Sequence, residues 1–252
     1  MAGFVSLIGA GPGDPGLLTV RGYKALEDAD IIIYDDLVNV EILLPFTQKE
    51  LHGLGFLQSK NPQRLKNIFQ IFASKTQEGK HVARLKGGDP LVFGRAYEEI
   101  KFLRDSKIEY QIIPGITAAL GAAAYAEVPL TQRDVSSSVA FCTGHSAKVK
   151  VPEADTIVFY MGVERLSEII EEVLKKGFPK KSSITVIQNA TKPNQLVITT
   201  SLSEALKDPP IVEPPAIMII RSHIINEKET GTNRKEWFFR KKKDFSNRNF
   251  SF

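Results

Sequence analysis

The stretch Val82-Ala83-Arg84-Leu85-Lys86-Gly87-Gly88-Asp89-Pro90 constrains the fold of this chain more than any other. Val82 to Leu85 reads as a short buried strand, and the apolar run ends on two glycines, an aspartate and a proline, so the strand opens into a loop. Paired glycines remove two Cβ atoms and admit positive φ, which lets a ligand lie against the backbone. Pro90 sets where the chain turns away. Asp89 adds a carboxylate at the carboxyl end of the strand, where open α/β sheets place their ligands. An ordinary tight turn uses the same residue types for local reasons, so the loop alone does not separate a binding site from a turn.

The same strand, loop and helix pattern recurs through the N-terminal half. Phe4 to Ile8 is an apolar run followed by Gly9-Ala10-Gly11-Pro12-Gly13-Asp14-Pro15-Gly16, and Leu17 leads into a helix to about Asp28. Ile31 to Tyr34 is a second strand, ending on Asp35 and Asp36. Pro62 to Gln77 places Leu65, Ile68, Phe69 and Phe72 at helical spacing, an apolar stripe that faces a core. Tyr97 to Asp105 reads as a helix and Tyr110 to Ile113 as a strand closed by Pro114-Gly115-Ile116-Thr117. The small residues of Ala118 to Ala124 imply a helix approached closely by backbone or by ligand. Alternating β and α predicts a parallel sheet. An acidic residue after the second strand raises a dinucleotide site. The first loop, however, reads Gly-x-Gly-x-Gly with Pro12 inside it and Pro15 after it, and prolines remove the N–H donors a pyrophosphate needs, so that reading is set aside.

Beyond Ser137 strands outnumber helices. Ser137–Thr143, Thr156–Tyr160, Ser183–Gln188, Leu196–Thr199 and Ala216–Ile220 read as strands, and Arg165–Lys176 and Ser203–Lys207 as helices. The expected fold is therefore α/β with two α/β domains: residues 1–115 with a mainly parallel sheet and residues 116–225 with a mixed sheet, the ligand cleft lying between them. Residues 226–252 are expected to form a flexible basic tail.

With 252 residues and 42% apolar content the chain has ample material for a core. Cys142 is its only cysteine, which excludes an intrachain disulfide and suits a cytoplasmic protein. No apolar segment is long enough to span a bilayer, and Met1 to Ile8 lacks the basic start of a signal peptide. The net charge of +4 is uneven: residues 231–252 hold seven basic residues against two acidic ones, a net +5, which leaves −1 for the rest. Trp237, Phe238 and Phe239 beside Arg240 to Lys243 have the chemistry of a nucleic-acid contact, but no nucleic-acid module precedes them. A solvated extension is the reading, with neither nucleic acid nor membrane as partner. No His/Cys cluster has metal-ligand spacing, and neither Gly-x-Ser-x-Gly nor a phosphate-binding Gly-Lys-[Ser/Thr] loop occurs.

Taken together, Gly9 to Pro15, Arg84 to Arg95, Pro114 to Ala118, Thr143-Gly144-His145, Tyr160-Met161-Gly162 and Gln188 to Thr191 resemble the tetrapyrrole methylases, in order, from about residue 3 to 222. Within that family the likeness is to the branch acting on uroporphyrinogen III. The resemblance implies a homodimer that uses S-adenosylmethionine to methylate rings A and B of that tetrapyrrole, giving precorrin-2 for sirohaem and cobalamin. It places cofactor contacts on Pro12, Gly87, Gly88, Asp89, Val92, Thr117, Ala118, Met161 and Ala190, the proton acceptor on Asp35, and no metal. The substrate's acetate and propionate arms call for cations. Arg21, Arg84, Lys86, Arg95, Arg133, His145 and Lys148 are available, with Arg95 and Arg133 chosen.

The chain departs from the family pattern between Glu50 and Gln63. Gly53 matches, but Leu54 and Gly55 stand where Lys and Arg are expected and Ser59 stands for a His. The resemblance thus supplies no proton donor, so either none is needed or a neighbour such as His52 or Lys60 serves. Two alternatives stay open: a methylase of the same fold acting on a later corrin precursor or on protein or RNA, and a non-catalytic scaffold.

Overall fold

Short apolar runs bounded by Gly, Pro and Asp become strands in the computed structural model, which describes residues 3–54, 63–224 and 231–233. Two units are compact by themselves, Met1–Ala118 and Ala119–Phe252. The first contains β1 (Phe4–Gly9), β2 (Ile31–Tyr34), β3 (Glu50–Gly53), β4 (His81–Lys86) and β5 (Glu109–Ile113), with α1 (Val20–Asp28), α2 (Gln63–Gln77) and α3 (Ala96–Asp105) between them. All its strand pairs are parallel, in the order β3-β2-β4-β1-β5.

A parallel sheet must be covered on both faces. On one face Ala25 and Leu26 of α1 pack with Ile8, Ile32 and Leu85. On the other, Ile68 and Phe72 of α2 and Leu103 of α3 pack with Val5, Leu7, Ile33 and Val82, while Phe69 and Phe102 stack at 4.2 Å. Helix α1 begins later than the apolar pattern suggests. Asp14 accepts from the Gly16 amide to cap a short turn at Pro15–Leu17, and the Thr19 hydroxyl then accepts from Gly22 at 3.0 Å to cap α1. Two elements had no periodic signal: the 3₁₀ stretch Val40–Phe46, which contains Pro45, and β3, whose outer position lets it carry Glu50 and His52.

The second unit contains α4 (Ala118–Ala126), which starts one residue before it, then β6 (Val139–Thr143), β7 (Thr156–Tyr160), α5 (Leu166–Lys175), β8 (Ser182–Gln188), β9 (Leu196–Ser201), α6 (Leu202–Lys207), β10 (Ala216–Ile224) and β11 (Gly231–Asn233). Its sheet runs β11-β9-β8-β10-β7-β6, with β6 and β7 parallel and the other pairs antiparallel. Leu166, Ile169, Ile170 and Val173 of α5 cover it together with Leu202 and Ala205 of α6. β11 comes from the stretch read as a tail and pairs with β9. The other tail residues, with Trp237 to Lys243, lie outside the described residues.

One buried histidine ties the first sheet together. His81 stacks on Phe4 at 3.9 Å, and its Nε2 lies 2.8 Å from the Ser6 hydroxyl, which also accepts from Gln111. Burial holds the imidazole below the ordinary histidine range, against the opposing pull of Asp28 and Asp30. The folded state therefore resists protonation while the unfolded chain takes up a proton below pH about 6.5, so stability falls as pH drops through that value. Urea unfolding midpoints measured from pH about 7 down to about 5.5 are expected to decline, and His81→Gln to flatten that decline. Asp30, held low chiefly by the His81 amide, enters only in more acidic solution.

Candidate active site

The strand order marks the place in the first sheet where open α/β folds take their ligands. β1 and β4 are neighbours, yet after β1 the chain crosses to β2 on one side and after β4 to β5 on the other, so the two loops part at their carboxyl ends. Such a switch point is the ligand crevice of open α/β sheets. The loops are bonded to each other: the Gly88 amide donates to the Gly11 carbonyl at 2.8 Å and the Gly11 amide to the Gly88 carbonyl at 3.2 Å. Asn39 joins a third segment by donating to the Gly13 carbonyl at 2.8 Å.

The glycines divide by cause. A Cβ on Gly9 would come within 2.5 Å of the Gly115 nitrogen, and one on Gly115 within 2.3 Å of the Gly88 oxygen, so these two serve close backbone packing. Gly88 differs. It holds φ +67°, and a Cβ there would meet nothing nearer than 3.6 Å, so its bare backbone faces space that a ligand can occupy. The bulk of a side chain on Gly88 is thus tolerated by the protein itself, and φ carries the intrinsic cost.

Asp89 organises this loop. One carboxylate oxygen accepts from the Leu91 amide at 2.8 Å and the other from the Gly115 amide at 3.0 Å, linking the segments after β4 and β5. Around it Pro12, Gly87, Val92 and Ala118 are half-buried and Thr117 is buried. Phe93 and Arg95 both sit at φ 54°, strain that a tight loop imposes on non-glycine residues. Asp89→Ala leaves two amides without a charged acceptor, a loss of roughly 1.5–3 kcal/mol. The ligand dissociation constant measured by calorimetry is expected to rise by about ten-fold or more, and by more than for removal of the exposed Asp134 carboxylate.

Four charged residues form a chain beneath the loop. Arg84 donates from Nη2 to Asp35 Oδ1 at 2.5 Å and from Nε to Glu99 Oε1 at 3.0 Å, and Lys86 Nζ bonds both Glu99 oxygens at 2.9 and 3.0 Å. Register explains the meeting: Arg84 and Lys86 are two apart on β4, so they share the face covered by α3, which carries Glu99. Burial opposes the charge on Arg84, but Glu99 and Asp35 outweigh it and its pKa stays raised. Burial, then the Arg84 cation, pulls Lys86 below the usual lysine range. Both cations were counted as available to substrate carboxylates. The structure corrects that, because each is enclosed and engaged by protein acids. Asp35 does not cap the following helix, a task that falls to Asn39, whose side chain accepts from the Glu41 amide.

Of the two cations chosen for the substrate, Arg95 is exposed beside Glu98 at 3.1 Å, and Arg133 is 94% exposed, 3.7 Å from Asp134. His145 and Lys148 are also exposed, and Arg21 donates to Gln111. Leu54 is buried among Val5, Ile33, Ile68 and Phe72, so the position where the family pattern calls for a lysine serves the core. His52 pairs with Glu50 at 2.7 Å. Gly55, Ser59, Lys60 and Pro62 lie outside the described residues.

In the second unit Met161, at φ 53° and 55% exposed, follows β7, and half-buried Ala190 follows β8 between Asn189 and Thr191, both at positive φ. Each has a support that the sequence did not announce. The Tyr160 hydroxyl accepts from the Ala119 amide at 3.2 Å. Buried Gln195 accepts from the Thr191 amide at 2.8 Å and donates to the Tyr125 carbonyl at 3.1 Å. Gln195, Glu99 and Asn39 were missed because a lone amide or acid in a helix or loop looks like any surface residue. Among the described residues no group of three or more His, Cys, Asp or Glu gathers as a metal site, and no helix is long and apolar enough to cross a membrane.

Comparison with known proteins gives the family. The model of the tetrapyrrole (corrin/porphyrin) methylases matches residues 5–206. A uroporphyrinogen-III C-methyltransferase of Methanocaldococcus jannaschii is 40% identical over 235 residues, covering 87% of this chain and 96% of that one. A sirohaem synthase of Actinobacillus pleuropneumoniae is 38% identical over 244 residues, 93% of this chain but 50% of that protein, and the chain spans about half the length of the sirohaem synthases it matches. The crystal structure of a Thermus thermophilus uroporphyrin-III C-methyltransferase complexed with S-adenosylhomocysteine superposes with TM-score 0.73 at 31% identity, covering 86% of this chain and 92% of that one. On the match over residues 5–206 and these relatives, the chain belongs to the tetrapyrrole methylase family.

Proposed function

We propose that this chain transfers methyl groups from S-adenosylmethionine to carbons of uroporphyrinogen III, giving precorrin-1 and then precorrin-2. The observation that carries the reading is the bare backbone of Gly88 at the switch point between β1 and β4, open to a flat ligand where the loops part. The relatives' names supply the substrate and, through the S-adenosylhomocysteine complex, the donor. When bound, the donor supplies an electrophilic methyl on a sulfonium that leaves as a neutral thioether. The protein's share is to hold that methyl in line with a pyrrole carbon, and orientation alone contributes about 7–11 kcal/mol to such a step. In the first unit the donor contacts are Pro12, Gly87, Gly88, Asp89, Val92, Thr117 and Ala118, and in the second Met161 and Ala190. The methylated ring, left cationic, loses a proton to Asp35 at the end of β2. Arg95 and Arg133 meet the substrate's carboxylates. The working form is a cytoplasmic homodimer.

Leu54 favours a second reading, in which the same fold acts on another tetrapyrrole or on a macromolecule, since the position of the expected lysine belongs to the apolar core. Anaerobic incubation with S-adenosylmethionine and uroporphyrinogen III, read by product mass and absorbance, decides between them. Methylated product supports the first reading. Donor binding without transfer to uroporphyrinogen III overturns it in favour of the second.

A further inference from the structure

We infer that Glu99 is a positioning residue for methyl transfer, acting through Arg84 to set the orientation and charge environment of Asp35. The inference rests on the reading of Asp35 as the proton acceptor. Its basis is the order of the chain: Lys86, Glu99, Arg84 and Asp35 alternate in sign, and their side chains are 3%, 1%, 2% and 20% exposed, so only the last reaches solvent.

Burying four charges is a poor way to gain stability, because desolvation cancels most of the attraction and apolar residues of similar size hold a core as well. The cost makes sense if the arrangement has a task at its open end. Arg84 is held at three points. Nε is taken by Glu99, Nη1 donates to the Leu85 carbonyl at 3.1 Å, and only Nη2 goes to Asp35. The guanidinium is planar, so fixing Nε and Nη1 fixes where Nη2 points and hence where the Asp35 carboxylate sits. Glu99 in turn is held by both contacts from Lys86. Among the described residues, the charged groups this chain brings to Asp35 are Arg84 and Lys86 from β4, with Glu99 from α3 screening both. With Glu99 neutral, two cations would stand unscreened beside Asp35, stabilising its ionised form and weakening it as a base.

The test is Glu99→Gln, which keeps the shape and an oxygen for Arg84 Nε while removing the charge. The expected result is a fall in kcat of roughly ten- to a hundred-fold, as for small misplacements of a reacting group, with the KM for S-adenosylmethionine unchanged. The acid limb of the kcat profile should move to lower pH. The paired variant Lys86→Gln/Glu99→Gln restores neutrality and should return that limb toward its original place. It also provides the readout if the single variant does not fold by circular dichroism. A wild-type kcat in whichever of these variants folds, or an unmoved acid limb in Glu99→Gln, alongside an inactive Asp35→Asn, overturns the role of Glu99 and leaves the base intact. Full activity in Asp35→Asn overturns the base assignment itself.

Discussion

Asp35→Asn is expected to lower turnover by roughly 10²–10⁴-fold, the range that a positioned general base contributes, with little change in donor affinity. The substitution is conservative in shape. The Asp35 amide donates to the Leu85 carbonyl at 3.2 Å, and its side-chain oxygen accepts from Arg84, two contacts that asparagine can keep. What it cannot keep is the capacity to take a proton from the methylated ring. Single-turnover measurement at saturating S-adenosylmethionine isolates that step, and calorimetry with S-adenosylhomocysteine checks that binding persists. Turnover within a factor of about three of the parent would remove Asp35 from the chemistry, since even a modest base supplies far more.

Gly115→Ala has the second large effect, and it acts through backbone rather than through any side chain. The new Cβ would stand 2.3 Å from the Gly88 oxygen and 2.7 Å from Gly9 Cα, and neither atom belongs to a flexible side chain that can swing aside. The loops after β1, β4 and β5 must move apart. Forced overpacking costs roughly 1–3 kcal/mol of stability. The larger consequence is for function, because the displaced atoms include the carbonyl of Gly88 and the amide that Asp89 accepts from. A shift near 1 Å at such a loop costs roughly a hundred-fold in kcat/KM. Gly177→Ala is the control: at φ +95° with nothing within 4 Å, it should cost only about 1–2 kcal/mol of backbone strain and leave kcat/KM unchanged. Equal losses of kcat/KM in the two variants would refute the close-packing account.

Strands of both sheets were legible in the sequence. Ile31–Tyr34 in the first and Thr156–Tyr160 in the second were bounded to the residue, because each is a short β-branched and aromatic run with an aspartate just before it. The central loop was legible for the same reason: two glycines and a proline have few conformational explanations. β3 and the Val40–Phe46 stretch were not legible. One is an edge strand of four residues with polar side chains, and the other is a 3₁₀ segment interrupted by proline, so neither has a period to detect.

The residue chemistry of the site divides along the same line. By itself the sequence determined which residue types close each strand, because turn-forming and strand-forming preferences are local. In that way it marked Gly88, Asp89 and Asp35 as the polar ends of apolar runs. Only the tertiary structure decided what those ends meet. Arg84 and Glu99 are 15 residues apart, Arg84 and Asp35 are 49 apart, and Gly9 and Gly115 are farther still. Whether a cation meets solvent or a buried acid, and whether a glycine faces a ligand or another backbone, depends on the order of strands in the sheet. That order is a long-range property, decided by burying all the apolar faces at once, and no window of sequence contains it.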